Sequence, residues 1–357
     1  DLIVGTRPNF IKITLLINLL KKTKGIKTRL IHTGQHFNKE MSSLFFSDLN
    51  LPKADFHFKI KSGSHATQTA NIMINYEKVL KKKKFDLCIV VGDVNSTFAC
   101  AVTAKKNFIK VAHIESGLRS HDWKMPEEVN RVMTDSISDW FFITLNSAYK
   151  NLINSGVKKS QIFFVGNTMI DTLIHYKKKF IKPKIYESLK LKKKSYFVLT
   201  LHRPQNVDNL QNLNKLLKII ENKSLDLPII FPVHPRLKKK IESIKKNYVN
   251  ISFIKPLPYL EFNFLVRDCL AVLTDSGGVS EETTYLKIPC LTFRDNTERP
   301  ETITMGTNIL ISDNLKKFEN SMKQLKAKKW KTSKIPPLWD GKSSERILKK
   351  LIKILNA

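Results

Sequence analysis

This chain has no apolar run approaching 18 residues, only four cysteines in 357 positions, and no G-x-G-x-x-G anywhere along its length. The first absence excludes a membrane-spanning helix, and no membrane partner is expected. The four cysteines, Cys88, Cys100, Cys269 and Cys290, lie in apolar surroundings without C-x-x-C spacing, so they read as reduced core thiols. The third absence removes the usual dinucleotide fingerprint. No basic, apolar, small-residue leader opens the sequence as given, and a cytoplasmic address is expected.

Acidic residues are scarce as well. Against 62 Lys and Arg stand 31 Asp and Glu, a formal net charge of +31. Such a basic chain invites a nucleic-acid reading. Arginine, which grips phosphate bidentately, supplies only ten of those cations, and no interleaving of arginine with aromatic residues is present. The lysines come in short runs, residues 81–84 and 238–240 among them, as expected of solvated helix faces. No specific nucleic-acid partner is expected, only unspecific polyanion binding at low salt.

What is present is alternation. Short apolar segments at residues 1–4, 28–33, 87–91, 110–114, 141–145 and 161–165 are separated by helical patterns at 9–20, 38–48, 65–80 and 96–106. A second series follows at 196–201, 228–233, 251–254, 270–273, 289–293 and 308–311. Apolar strands alternating with helices of this length predict parallel sheets buried on both faces. The expected fold is α/β, with two doubly wound Rossmann-like domains facing across a cleft. One domain is expected over residues 1–175 and a second over 190–340, joined by a lysine-rich, turn-poor connection at 177–194. A last helix, within 341–357, is expected to pack back on the first domain.

The polar residues of interest fall just past the carboxyl ends of these strands, where open α/β sheets bind ligands. Arg7, His36, Asp93 and Glu115 do so in the first series, and His202, His234 and Ser276 in the second. Ser276, Gly277 and Gly278 follow one strand and open a helix. Free backbone N–H groups and the helix dipole make such a turn a phosphate site, and the glycines admit a bulky anion. A plain capped turn is the structural alternative. Read alone, Asp93 serves equally as a helix cap, and Glu127, after Pro126, as an ordinary first-turn acid. A carboxylate at Glu115, ending an apolar strand, is costly to bury unpaired and favours a site role.

Nine ordered motifs carry a resemblance: GTRPNFIK (5–12), TGQH (33–36), GDVNST (92–97), HIESGLRS (113–120), MPEEVNR (125–131), GNTMIDTL (166–173), LHRPQNVD (201–208), PVHP (232–235) and DSGGVSEETTYLKIPCLTFRDNTERPE (275–301). Together they resemble the non-hydrolysing UDP-N-acetylglucosamine 2-epimerases. The resemblance implies the two-domain glycosyltransferase-B architecture, a UDP-sugar substrate, a homodimer, and neither cofactor nor metal. Epimerisation at C2 would run by loss of UDP from C1, an enzyme-bound 2-acetamidoglucal, and re-addition of UDP after protonation from the other face.

By the same resemblance, Asp93, Glu115, Glu127 and His202 are the catalytic groups. Arg7, Lys12, Ser276, Gly277 and Gly278 fall to the nucleotide and its phosphates, and Glu282 to the ribose. Gln35 and His36 match an allosteric or lid loop. The chain departs from the family pattern at Gln205, usually Glu, and at Asn71, where an arginine would stand for allosteric binding. A hydrolysing relative, releasing N-acetylmannosamine and UDP, and an epimerase of a 2,3-diacetamido sugar are the enzymatic alternatives.

Overall fold

The computed structural model describes residues 1–35, 48–60 and 63–356. The helix expected at residues 38–48 and the loop residue His36 therefore lie wholly or almost wholly outside the described residues. The chain divides into two compact units, Asp1–His175 with Pro337–Ala357, and Tyr176–Pro336.

In the first unit the apolar segments form β1 (Leu2–Val4), β2 (Leu30–His32), β3 (Phe56–His57), β4 (Leu87–Val91), β5 (Lys110–Ile114), β6 (Trp140–Ile143) and β7 (Ile162–Phe164). They pair in parallel in the order β3-β2-β1-β4-β5-β6-β7. All five residues of β4 are buried, which is why it reads LCIVV with no polar alternation: helices cover both faces of a parallel sheet. The two-residue strand β3 was not expected. It is too short to show a period, and pairing with Ile31 and His32 is what makes it a strand.

In the second unit, β8 (Phe197–Thr200), β9 (Ile229–Pro232), β10 (Ile251–Ile254), β11 (Ala271–Thr274), β12 (Cys290–Thr292) and β13 (Asn308–Leu310) order as β10-β9-β8-β11-β12-β13, again all parallel. Side chains alternate across this sheet. Phe197, Leu199, Phe231, Leu273 and Leu291 join one core, while Tyr196, Val198, Ile230 and Val272 join another on the opposite face. Each such buried side chain stabilises the unit by about 1.5–3 kcal/mol.

The lysine-rich stretch after the first series holds a 3-10 turn (Lys177–Lys179) and a short helix (Lys184–Ser188). The last helix, Ser343–Leu355, belongs to the first unit and packs on helix Arg7–Lys22. Its leading N–H groups, on Ser343 and Ser344, donate to the Asp171 carboxylate at 3.1 and 2.6 Å. Among the described residues no helix is long and apolar enough to cross a membrane. In both sheets strand order reverses once, between β1 and β4 and between β8 and β11. These are the points at which loops leave in opposite directions and open a crevice at the carboxyl edge.

Candidate active site

At the first of these points Asn9 binds two loops together. Its Oδ1 accepts the N–H groups of Gly5 (3.2 Å) and Thr6 (3.0 Å) and the Thr6 hydroxyl (3.0 Å), and its Nδ2 donates to the carbonyl of Val91 (3.0 Å). The loop after β1 is thereby fastened to the end of β4, and Arg7, half-buried, takes the first position of its helix. Gly92 follows Val91 with φ +70°. A Cβ there would stand 3.2 Å from Glu115 Oε2 and 3.4 Å from both Asn9 Nδ2 and Lys12 Nζ. Glycine takes that conformation without strain and leaves room for the convergence.

Lys12 and Glu115 form an ion pair in which both side chains are buried. Glu115 itself has φ +67°, a conformation that costs a non-glycine residue about 1–3 kcal/mol and is a feature of functional loops. Its N–H donates to the Phe142 carbonyl at 2.9 Å, so β6 holds the turn in place. Asp93, three-quarters buried at its side chain, pairs with Arg131 from helix Pro126–Ile137, and Arg131 also pairs with Glu128 one turn earlier. Glu128 accepts from the Ser120 N–H and hydroxyl and from the His121 N–H, each at 2.9 Å. Burial alone would raise its pKa. The hydrogen bonds from Ser120 and the Arg131 charge outweigh burial and hold it below the ordinary carboxylate range.

Glu127, on the same helix, is partly exposed, with no hydrogen bond or ion pair among the described residues. Gln35 reaches the cluster indirectly. Its Oε1 accepts from Ser96 N (3.1 Å) and Oγ (2.8 Å), and its carbonyl from Gln68, which in turn accepts from Asn95. Asn130 closes the chain by donating to Asn95 Oδ1 and to the Asp93 carbonyl, both at 3.0 Å.

In the second unit Asp275, wholly buried at the end of β11, organises the loop after β8. Its carboxylate accepts from the N–H groups of His202 (3.0 and 3.2 Å) and Arg203 (2.9 Å) and from Asn206 Nδ2 (3.1 Å), and lies 2.8 Å from His202 Nδ1. Burial would raise the Asp275 pKa. The His202 hydrogen bond and charge, with the Arg203 and Asn206 donors, lower it instead. With Nδ1 committed, His202 has Nε2 left for a ligand, and its side chain is 41% exposed. His234 caps the next loop by accepting from the Arg236 N–H at 3.3 Å.

The Ser276 N–H donates to Thr274 Oγ1 at 3.0 Å, and helix Gly277–Leu286 begins immediately. The Ser276 hydroxyl makes no capping bond, so this is not a self-capped turn. Behind Gly277 lies a buried ion network: Arg294 pairs with Glu298, and Arg299 with Glu298 and Glu281. A Cβ at Gly277 would come within 2.9 Å of Glu298 Oε1, so glycine gives room for the close approach. The Arg294 and Arg299 charges offset those of Glu298 and Glu281 beside the positive helix terminus. Glu282, one turn on and buried, accepts from the Tyr259 hydroxyl at 2.8 Å.

Lys12, Asp93 and Glu115 thus gather around Gly92 in one unit, with Arg7 at the start of the adjoining helix, and His202, Ser276, Gly277, Gly278 and Glu282 lie along the switch point of the other. Glu127 is not bonded into the first cluster, and His36 lies outside the described residues. Residues not singled out from sequence include Asn9, Glu128 and Asp275. Glu128 had a signal, since its spacing of three from Arg131 puts both on one helix face. Asp275 stood within a quoted motif, but nothing local marked it as the anchor of a loop 73 positions earlier.

The family model for UDP-N-acetylglucosamine 2-epimerase matches residues 18–352 of this chain. A UDP-N-acetylglucosamine 2-epimerase from Methanocaldococcus jannaschii is 43% identical over 98% of this chain and 97% of its own. The crystal structure of the M. jannaschii enzyme in complex with UDP-GlcNAc and UDP superposes with a TM-score of 0.89 over 99% of both chains. A UDP-2,3-diacetamido-2,3-dideoxy-D-glucuronate 2-epimerase from Pseudomonas aeruginosa is 36% identical over 87% of each chain. The fold is that of the glycosyltransferase-B-like epimerases.

Proposed function

Because this chain belongs to the UDP-N-acetylglucosamine 2-epimerase family, we propose that it interconverts UDP-N-acetylglucosamine and UDP-N-acetylmannosamine without releasing free sugar. The observation that carries the reading is the convergence of Lys12, Asp93 and Glu115 on Gly92 at a sheet switch point.

The C2 proton of the sugar has no neighbouring carbonyl to acidify it. Breaking the C1–O bond to UDP places positive charge beside C2, and a carboxylate then takes the proton, leaving 2-acetamidoglucal and UDP. Return of a proton to the opposite face of C2, with UDP re-adding at C1, completes the inversion; one proton leaves and one arrives. Asp93, Glu115 and Glu127 are the groups we assign to these transfers. Lys12 offsets the charge of Glu115 in its ground state. Arg7, His202 and the Ser276–Gly277–Gly278 turn stabilise the departing pyrophosphate, and Glu282 accepts the ribose hydroxyls.

A second substrate, a UDP-2,3-diacetamido uronic acid, is favoured by the 36% identical relative from P. aeruginosa. A homodimer fits the exposed apolar residues Ile74, Val129 and Met133, carried by helices His65–Lys82 and Pro126–Ile137. Nucleotide-sugar chemistry and four buried free thiols fit a cytoplasmic site of action. Incubation with UDP-N-acetylglucosamine in D2O is expected to yield UDP-N-acetylmannosamine deuterated at C2. Free N-acetylmannosamine as sole product would sink the non-hydrolysing reading. Turnover of the diacetamido uronic acid alone would move the assignment to that sugar.

A further inference from the structure

His113 is fully buried in β5, two residues before Glu115, and nothing in the proposed chemistry calls on it. Both of its ring nitrogens meet acceptors. Nε2 lies 2.8 Å from the carbonyl oxygen of Gly92, and Nδ1 lies 2.7 Å from Asp135 Oδ1. A carbonyl oxygen can only accept, so Nε2 carries a hydrogen. Asp135 is also buried, and it takes the Gly117 N–H at 3.0 Å and Arg119 Nη1 at 2.6 Å on its other oxygen.

Burial would raise the Asp135 pKa, yet the His113 hydrogen bond and charge and the Arg119 guanidinium lower it. With Oδ2 taken by Gly117 and Arg119, Oδ1 faces the ring, and the imidazole bridges the Asp135 carboxylate to the Gly92 carbonyl.

The consequence is geometric. The Gly92 carbonyl belongs to the peptide that carries Asp93, and the Gly92 N–H donates to Ile114, the residue before Glu115, at 3.0 Å. Gly117, two residues after Glu115, is held by Asp135. The His113–Asp135 pair therefore clamps the backbone on both sides of the two carboxylates.

We propose that His113, held through both ring nitrogens, is a positioning residue that fixes the separation of Asp93 and Glu115 for proton transfer at C2. This rests on the epimerase reading above. The Ser276 turn is in the other unit, so nucleotide binding should be spared and the chemical step should not.

In the folded H113F variant both ring hydrogen bonds are gone, and kcat is expected to fall ~10–100-fold, the scale of a misplacement of about 1 Å. KM and UDP affinity should stay within about 3-fold of wild type by the same argument. H113Q can still reach the Gly92 carbonyl with its amide, and should recover at least ~10-fold of that loss by restoring the position. An H113F variant with kcat within about 3-fold of wild type, or with its deficit confined to KM, overturns the proposal. An H113Q variant no better than H113F also overturns it.

Nitrogen-15 spectra of the wild-type protein supply an arm independent of turnover. They should show one buried histidine with a hydrogen on Nε2 donated to a carbonyl, its signal lost in H113Q. A ring without that hydrogen refutes the proposal whether or not H113F folds. An inactive wild type would defeat the epimerase reading, with the ring spectra still deciding the state of His113.

Discussion

Asp275→Asn changes one oxygen to an amino group inside a fully buried site and leaves volume nearly constant. Asp275 faces donors only: the His202 and Arg203 N–H groups, the Asn206 amide and the His202 ring. An asparagine amide keeps one acceptor oxygen and sets its NH2 against donors. Hydrogen bonds to a buried charge contribute about 1.5–3 kcal/mol each, and breaking one partner of a buried pair costs about 3–5 kcal/mol in all. We expect the variant to lose ~3–5 kcal/mol in the second unit at pH 7, read by urea unfolding monitored at Trp330 after substitution of the other tryptophans.

The pH dependence has a defined sign. The folded Asp275 pKa lies below its ordinary value, so its stabilisation is fully present above about pH 4 and is lost as pH falls through the folded value. The gap between wild type and variant should therefore be constant from pH 8 to about 5 and narrow below about 4. Because the His202 loop loses its anchor, UDP affinity should fall as well. A loss under ~1 kcal/mol, or a gap that widens with acid, would refute the account of Asp275 as the ionised hub of this loop.

Three further outcomes are expected. Asp93→Asn, Glu115→Gln and Glu127→Gln should each lower kcat by at least ~100-fold in a coupled UDP-N-acetylmannosamine assay, and a near-normal rate would remove that residue from the proton chemistry. Gly92→Ala pays for the left-handed backbone with ~1–2 kcal/mol, visible as a lower melting temperature. It also pushes on Glu115 and Lys12, so kcat should drop with little change in UDP binding. Glu282→Gln should weaken UDP binding by ~10-fold, measured by calorimetry, and leave uracil-free pyrophosphate binding unchanged if its partner is the ribose.

Much of the architecture was legible in residue order. Runs such as LCIVV at β4 have no polar alternation because both faces are covered, and that single property announces a parallel sheet. The helix start at Gly277 was legible too, since a strand, a small polar residue and two glycines mark a turn into a helix. The two-residue β3 was not, because it has no period and exists only through its neighbour β2.

The sequence by itself determined the alternating elements, the loops that carry reactive residues, and the family motifs. These are local properties, set by backbone preference and hydrophobic period within a few residues. Only the tertiary structure decided who is paired with whom. Arg131 selects Asp93 from 38 positions away and Glu128 from three, while Lys12 meets Glu115 across 103 positions. The left-handed turn at Glu115 and the clamp of His113 between Gly92 and Asp135 belong to the same class. Such pairings depend on how strands are ordered in the sheet. Charge and hydrogen-bond energies act over a few ångströms of space, whatever the separation along the chain.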